Sequence, residues 1–482
     1  MRTTSPTRTF VVVTLGTLAY ALLQSVVGPV LPTIQRDMHT SQNAVTWVMT
    51  AYLLAASVAT PILGRVGDMY GKRKILVLTL CLLGLGTLVS ALATTITILI
   101  IGRVVQGAGG AVLPLSFGII RDEFPREKVG SAIGIIAALA AVGGGIGTVI
   151  AGPIVGLLNY HWLFWAPMVV IFTAAVGAAL FIPESPPQEA GKVHWLGALL
   201  LAVWLVALLV GVSQGEMWGW MSARVLGLFV VALVAIVLWV AAEARSREPL
   251  VDMRMMRMRP VWATNAVALL FGVGLYSMMA FLPAYLQTPR SAGYGLGASL
   301  TVSGLYLLPM TVTMFAVSMV TGKVAAAVGS RAAVIVGTLL VAVPLGMFAL
   351  VNDHGWQILL GSSLLGVGMG LAFAAMANII VESVPPDQTG VASGMNTNIR
   401  TIGGSIGAAV MAALVTSGAQ GNGLPRDSGY THGFLFLSAA ALVGAMVAVL
   451  IPRLRDESAT LAHSSAHRHP EAALVPGGTL LD

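Results

Sequence analysis

Fourteen apolar runs, each long enough to cross a lipid bilayer, constrain the fold of this 482-residue chain more than any other feature. A membrane-spanning helix needs about 20 mostly apolar residues, and within lipid only helices of this length satisfy their own backbone hydrogen bonds. Hydrophobic residues make up 57% of the chain and charged residues only 9%. The sequence therefore predicts an all-α polytopic membrane protein. The expected spans are residues 10–32, 44–64, 75–94, 97–120, 131–157, 163–183, 195–212, 224–242, 261–286, 298–321, 332–351, 357–380, 393–417 and 431–451.

The Lys and Arg residues are distributed unevenly between alternate loops. With the N-terminus in the cytoplasm, 20 of the 26 cations lie on the cytoplasmic side, Arg36, Arg290 and Arg426 lie outside, and Arg224 lies at a boundary. Cytoplasmic loops of membrane proteins carry such an excess, which predicts cytoplasmic N- and C-termini. The net charge of +7 then reflects topology and attraction to anionic lipid, and no nucleic-acid partner is expected.

A glycine-rich basic segment joins the second and third spans. From Gly64 to Lys74 it reads Gly-Arg-Val-Gly-Asp-Met-Tyr-Gly-Lys-Arg-Lys. Three consecutive cations beside an apolar run are expected in water on the cytoplasmic side, and the glycines allow helix ends to pack closely. Asp68 is placed to meet the positive end of a neighbouring helix or a cation.

The chain contains a weak internal repeat, which is typical of transporter folds. The glycine and cation pattern of residues 64–73 returns in residues 322–331, at an offset of 258. Five glycines of residues 130–147 coincide with five of residues 390–407, at an offset of 260. These correspondences predict two related bundles of six helices each.

The repeat gives an expected organisation for the whole chain. The first six-helix bundle covers residues 10–183 and the second covers residues 261–451. Two inserted membrane helices, residues 195–242, lie between the bundles. The segments 1–9 and 452–482 are expected to be cytoplasmic tails, the second of them disordered.

Several of these motifs resemble those of one transporter family. The segment 64–74 resembles the loop between the second and third helices of the major facilitator superfamily. The fourth span is similar to the superfamily's intramembrane arginine motif, and the fifth to the glycine-proline motif of its antiporters. Further segments resemble the fourteen-helix drug:proton antiporters of bacteria. The segments that carry the resemblance are Gly102-Arg103-Val104-Val105-Gln106-Gly107-Ala108-Gly109-Gly110, Ala151-Gly152-Pro153-Ile154-Val155-Gly156, Glu248-Pro249-Leu250-Val251, Tyr285-Leu286-Gln287, Leu308-Pro309 and Gly390-Val391-Ala392-Ser393-Gly394.

The resemblance, which covers about residues 10–451, implies a function. The protein would export a small amphipathic drug or secondary metabolite across the bacterial cytoplasmic (inner) membrane, by alternating access and in exchange for protons. It implies that a monomer is sufficient. No paired His/Asp site, P-loop or nucleophile motif appears in the sequence, so neither enzymatic activity nor a cofactor is expected. Asp68 would latch a gate by pairing with a helix end or an arginine. The residues implied in coupling and gating are Arg103, Asp68, Gly64, Gly71, Arg73, Gly152 and Pro153.

One departure from the family pattern bears on proton coupling. The family's first helix usually carries an aspartate nine residues before its terminal proline, and the matching position here is Leu23. Gln24 beside it does not titrate. No Asp or Glu lies deep within any expected span, although buried acids are the usual proton relays of membrane pumps. An uncoupled or differently coupled carrier therefore stays open as an alternative.

Arg103 and Arg400 are the only cations inside the expected spans. Each costs about 2.5–3.5 kcal/mol in a bilayer unless it faces a wet cavity or a partner. Arg103 is either a coupling residue or a structural hydrogen-bond hub, and Arg400 either lines a cavity or ties helices together. Two arginines facing one cavity would favour an anionic or zwitterionic substrate.

The superfamily resemblance implies that the first and fourth helices of each half line the transport pathway. In this chain these are the first, fourth, ninth and twelfth spans. With polar residues of the thirteenth span added, the expected substrate-cavity residues are Tyr20, Gln24, Gln106, Asn265, Tyr276, Phe281, Ser363, Asn378, Asn396 and Arg400.

Other classes of protein fit the sequence less well. A membrane sensor would be expected to carry a sizeable domain outside the membrane, whereas the loops here are short. The glycines of residues 143–147 lack the Lys-Ser/Thr ending of a phosphate-binding loop and lie within a span, so helix packing accounts for them better. Cys81 is the single cysteine, which leaves no disulfide framework, and no metal site is expected.

Overall fold

The computed structural model describes residues 6–184, 194–351, 354–416 and 425–453, and these residues form helices joined by short turns. Fourteen helical segments in the described part are long and apolar enough to cross a membrane. This result confirms the all-α class and the predicted number of spans.

The helices are numbered along the chain. The first half contains α1 (Pro6–Ser25), α2 (Leu31–Asp37), α3 (Gln42–Tyr70), α4 (Lys72–Ala91), α5 (Ile96–Gln106), α6 (Val112–Glu123), α7 (Arg126–Leu157) and α8 (Trp162–Phe181). Between the halves lie α9 (Trp195–Trp218), α10 (Ala223–Arg245) and the short α11 (Met253–Arg257). The second half contains α12 (Arg259–Gln287), α13 (Leu300–Val328), α14 (Ser330–Leu350), α15 (Gly355–Ser383), α16 (Thr389–Thr416) and α17 (Asp427–Ala448). Most of the expected N-terminal tail (1–5) and C-terminal tail (454–482) lies outside the described residues.

The two halves pack in the same way internally. Gly143 and Gly147 of α7 face α1, and Gly403 and Gly407 of α16 face α12. At each of these positions an added Cβ would overlap the facing helix, so the glycines set how closely the helices approach. The glycines that repeat in the sequence thus make the same helix-helix contact in both bundles.

The halves also meet each other through a repeated contact. Helix α3 of the first half packs against α16, and α13 of the second half packs against α7. A Cβ on Gly64 would lie 2.7 Å from the carbonyl oxygen of Gly390, and one on Gly322 would lie 2.8 Å from the backbone nitrogen of Ser131. Both pairs are therefore in direct backbone contact, which supports the pseudo-symmetric arrangement of the two bundles.

The inserted helices α9 and α10 pack against each other and, through α9, against α3 and α16. Trp204 and Trp239 join them, with ring centroids 5.9 Å apart. Buried Glu243 fixes the ends of the pair, because its carboxylate lies 3.1 Å from His194 Nδ1 and accepts the backbone N–H of Val251 at 3.1 Å. The pair therefore lies along one side of the contact between the two bundles.

The structure corrects the expected loop between the second and third spans. Helix α3 continues to Tyr70 and α4 begins at Lys72, so only Gly71, with φ +110°, is left to turn the chain. Lys74 is exposed, but Lys72 is buried, and the expectation that all three cations lie in water was wrong for Lys72. Its ammonium is compensated by the Asp122 carboxylate at 2.7 Å, as a buried charge requires.

Two other spans are less regular than expected. The first helix ends at Ser25 and is followed by a 3₁₀ turn at Gly28–Val30. The fourth span is interrupted by a second 3₁₀ turn at Gly107–Ala111, where the chain lies against α3. Helix α7, in contrast, continues through Pro153 to Leu157, so the proline does not break the helix.

Candidate functional site

A cavity of about 680 Å³ lies between the two halves. Its wall is formed by α1, α3, α6 and α7 of the first half and by α12, α13, α15 and α16 of the second half. Most of the wall is apolar and includes Met49, Met279 and Met310, flexible side chains suited to ligands of varied shape. Its volume is that of a small-molecule site.

Four of the predicted cavity residues line this cavity: Tyr20, Gln24, Tyr276 and Arg400. Tyr20 and Gln24 lie one turn apart on α1, and Tyr276 faces them from α12, the corresponding first helix of the second half. The first helix of each half therefore contributes to the cavity wall.

Arg400 reaches the cavity from α16. Gly272 has no side chain to hold α12 away, so the α12 backbone packs directly on the Arg400 backbone. The guanidinium donates from Nη1 to Asn396 Oδ1 at 3.5 Å and from Nη2 to Thr397 Oγ1 at 3.4 Å, and its carbon lies 4.5 Å from the centre of the Phe373 ring. Arg400 thus lines the cavity and also contacts α15.

The other predicted cavity residues have different surroundings. Asn396 donates to Asn265 at 2.9 Å, which ties α16 to α12, and Gln106 donates to Thr87 at 3.0 Å. The predicted residues Asn396, Asn265 and Gln106 do not border the described cavity.

Three further predicted residues also lie away from the described cavity wall. Asn378 is buried opposite Gly130 of α7, Phe281 is half-buried in the apolar core, and Ser363 donates to Leu359 of its own helix at 2.7 Å.

Arg103 is fully buried outside the cavity wall. It donates to Gln106 Oε1 at 2.7 Å, to the Val48 carbonyl at 3.2 Å and to the Leu23 carbonyl at 3.4 Å, and it stacks on the Tyr52 ring at 4.1 Å. These contacts join α5, α3 and α1. The sequence left two interpretations of Arg103 open, a coupling residue and a structural hydrogen-bond hub. These contacts have the geometry of a hub.

Asp68, near the C-terminal end of α3, joins the two halves. Its side chain is fully buried, and its two oxygens accept the backbone N–H groups of Gly390 at 3.3 Å and Val391 at 3.1 Å. These amides belong to the first turn of α16, where N–H groups have no partner within the helix and the helix dipole is positive. Thr60, at the cavity wall, lies two turns before Asp68 on the same helix. We call this contact between Asp68 and the start of α16 the latch.

Neighbouring cations strengthen the latch region. Lys72 donates to the Pro386 carbonyl at 3.3 Å, Arg65 to the Asp387 carbonyl at 3.5 Å and Arg121 to Thr389 Oγ1 at 2.6 Å. All three bonds cross from the first half to the segment that begins α16. Arg73, in contrast, pairs with Glu184 at 3.5 Å within the first half.

The glycine-proline motif of α7 also lies at a contact between the halves. A Cβ on Gly152 would lie 3.4 Å from Thr301 Oγ1 of α13, and Pro153 follows it inside the unbroken helix. The motif is therefore at the end of the bundle opposite the latch.

Sequence reasoning missed several residues that organise the site. Tyr52 and Phe373 place aromatic rings against the two buried arginines, and Asn398 donates to the Ser57 carbonyl across the halves. The sequence offered one signal, since Asn396, Asn398 and Arg400 form a polar group in an otherwise apolar span.

A family model described as the Major Facilitator Superfamily matches residues 13–408 and 291–476. The chain belongs to this superfamily. It is a multi-pass membrane protein of the secondary-transporter class, and the relatives that it matches are transporters rather than enzymes.

Curated relatives from bacteria match most of the chain. The tetracenomycin C resistance and export protein of Streptomyces glaucescens is 30% identical over 416 residues, which cover 86% of this chain and 76% of the relative. A multidrug resistance protein B homolog of Mycobacterium tuberculosis is 31% identical over 399 residues, which cover 81% of this chain and 73% of the relative.

Solved structures share the fold. The human organic anion transporter MFSD10 (TETRAN) superposes with a TM-score of 0.68 at 16% identity, over 92% of this chain and 99% of its own. The proton:xylose symporter XylE superposes with a TM-score of 0.66 at 13% identity, over 93% of this chain and 96% of its own.

Proposed function

We propose that this protein exports a small amphipathic compound across the bacterial cytoplasmic membrane by alternating access. The observation that supports the proposal most is a small-molecule-sized cavity between the two halves, which are also joined by the contacts of Asp68 two turns beyond the cavity wall. The names of the curated relatives, which refer to drug resistance and export, favour export of a drug or secondary metabolite.

In the proposed cycle, the latch opens and closes the cytoplasmic end of the pathway. When Asp68 leaves the α16 amides, the contacts of Lys72, Arg65 and Arg121 with the second half break with it, because they reach the same short segment. The compound then enters from the cytoplasm, and re-formation of the latch leaves the cavity facing outward. The cationic residues around the latch support its cytoplasmic assignment.

Exchange of the compound for protons is the proposed source of energy, as the family resemblance implies. A specific observation favours a second candidate, a carrier without proton coupling. Leu23 replaces the expected acid, and the described cavity wall contains neither Asp nor Glu. The rest of the proposal is the same for both candidates. One chain acts as a monomer in the lipid bilayer, its two six-helix bundles are separated by the inserted pair of helices, and both termini are cytoplasmic.

Transport into inverted membrane vesicles tests the proposal. Cationic, neutral and anionic fluorescent compounds are added outside, and a pH-sensitive dye reports proton release when a gradient is imposed. We expect uptake of at least one compound by the wild type and its loss in Ala280→Trp, which places an indole in the cavity wall. Leu226→Trp, on the exposed face of α10, is the matched control. Uptake that is equal in vesicles with and without the protein would contradict an export function.

A further inference from the structure

The central cavity has a single charged group. Its described lining consists of apolar residues, hydroxyls, amides and the guanidinium of Arg400, with no Asp, Glu, Lys or His among them. Arg103, the other cation within the spans, is enclosed by its own partners and does not border the cavity. The electrostatic potential inside the cavity is therefore set by one positive charge that no carboxylate of the lining offsets.

Arg400 makes longer hydrogen bonds than Arg103. Its bonds to Asn396 and Thr397 measure 3.5 and 3.4 Å, beyond the usual 2.7–3.2 Å of N–H···O bonds (about 2.7–2.9 Å when both groups are charged), and Tyr276 is a further side-chain partner. Arg103 donates at 2.7 Å to Gln106 and at 3.2 and 3.4 Å to two carbonyls. Both side chains are buried, and a buried charge in a membrane protein typically marks a pathway or a ligand. The buried guanidinium of Arg103 has hydrogen-bond acceptors within the protein. The geometry of the Arg400 guanidinium, in contrast, suits an additional acceptor from a ligand.

From this contrast we infer that the cavity selects compounds that join an anionic group, such as a carboxylate or a phenolate, to an apolar or aromatic body. The anionic oxygens accept hydrogen bonds from the Arg400 guanidinium, whose planar donors match a carboxylate. The inference rests on the proposed export function and adds the charge of the substrate to it.

The surroundings of Arg400 suit the apolar part of such a compound. Phe373 stacks on the guanidinium and borders the cavity, and Tyr20 and Tyr276 face the cavity from α1 and α12. Aromatic rings pack well on flat ring systems, and the methionines of the cavity wall adapt to different outlines. The charge fixes one end of the compound and the apolar wall accepts the remainder.

An anionic substrate also changes the energetics of export. The cytoplasm is electrically negative relative to the outside, so the membrane potential itself drives an anion outward. For a monovalent ion, about 59 mV supports a tenfold concentration ratio. Export of an anion therefore needs no proton-binding acid in the cavity, which agrees with the acid-free lining.

Two dyes with the same three-ring xanthene core test the inference: fluorescein, an anion at neutral pH, and rhodamine 123, a cation. Purified protein is reconstituted in liposomes with equal pH on both sides, and a potassium gradient with valinomycin makes the interior positive for the fluorescein assay and negative for the rhodamine 123 assay, so that each dye is driven inward. We expect the wild type to accumulate fluorescein above protein-free liposomes and to take up no more rhodamine 123 than protein-free liposomes do. Arg400→Gln should lower fluorescein uptake at least tenfold, and Arg400→Lys should keep part of it. Arg290→Gln, at an exposed arginine away from the cavity, is the control.

The possible results separate the inference from the proposed function. Uptake of rhodamine 123 with no uptake of fluorescein would overturn the anion preference and leave export standing, as would fluorescein uptake that Arg400→Gln does not change. If neither dye is transported, fluorescein binding is measured by quenching of the protein's tryptophans. Binding that is tenfold weaker in Arg400→Gln, with an unchanged thermal unfolding midpoint, would support anion recognition and count against export. Equal binding by both proteins would overturn the inference.

Discussion

Neutralising Asp68 should open the latch without unfolding either bundle. The carboxylate accepts two backbone hydrogen bonds from the first turn of α16 and also lies 3.8 Å from Lys72. Hydrogen bonds to charged groups contribute about 1.5–3 kcal/mol each. In Asp68→Asn the amide oxygen retains one neutral bond, worth about 1 kcal/mol, while the cost of burying a charge disappears.

The balance of these effects is a loss of about 2 kcal/mol from the latched state, or roughly a thirtyfold shift toward the open state. The shift should be visible as a distance between the halves. Tyr70, at the end of α3, and Val328, at the end of α13, are both exposed. Spin labels at these two positions, in a Cys81→Ser background, report the separation of the halves on the latch side by pulsed electron resonance.

We expect a longer label-to-label distance to become prominent in Asp68→Asn. Glu184→Gln is the matched control, because it also removes a carboxylate on the same side but one that pairs with Arg73 inside the first half. This half-buried pair lies entirely within the first half and bonds nothing in the second half, so the control should keep the wild-type distance. If Asp68→Asn also keeps it, the latch does not hold the halves together and the reasoning from hydrogen-bond strength fails.

Three further predictions follow from individual contacts. Gly64→Ala should shift the same label distance as Asp68→Asn, because its Cβ would lie 2.7 Å from the Gly390 carbonyl oxygen, whereas Gly156→Ala, with nothing within 4 Å, should not. Arg103→Gln should lower stability by about 1–3 kcal/mol for each buried acceptor that it leaves without a donor; the thermal unfolding midpoint in detergent measures the loss, and an unchanged midpoint would argue against the hub. Glu243→Ala should lower the same midpoint by releasing His194 and the Val251 amide, while uptake in vesicles should persist if the inserted pair has only a supporting role.

The sequence predicted the fold well because its signals are local. Each span is visible as an apolar run, and the repeated glycines mark positions where helices touch. The turn at Gly71 was less accessible, because hydropathy falls at Gly64 while the helix continues to Tyr70. Polar residues at the end of a span are interpreted as a loop when their partners are unknown. The partner of Lys72 is Asp122, which lies fifty residues away in the sequence.

The candidate site was only partly predictable for the same reason. Residue type and helix position identified Tyr20, Gln24, Tyr276 and Arg400 as cavity residues, and all four border the cavity. The same criteria selected Ser363, which the structure places outside the described wall, because which face of a helix turns inward depends on helix rotation. In an apolar environment the polar-apolar pattern that fixes rotation in soluble helices is weak.

The repeat raises the question of why only one of the two contacts between the halves carries a latch. Asp68 corresponds to Ala326 in the second copy, yet the missing carboxylate is not the whole difference. Helix α16 begins at Thr389, so Gly390 and Val391 lie in its first turn, where N–H groups have no partner within the helix. Helix α7 begins earlier, at Arg126, so the corresponding amides lie beyond its first turn and bond within the helix.

An Asp introduced at position 326 would therefore meet amides that are already engaged. We expect Ala326→Asp to leave the distance between the labels at Tyr70 and Val328 unchanged, and not to restore the closed state of Asp68→Asn. A shift of that double variant back to the wild-type distance would show that any carboxylate on this side can act as a latch. The expected result would instead show that the start of α16, as much as Asp68, makes the closed arrangement on this side depend on one contact.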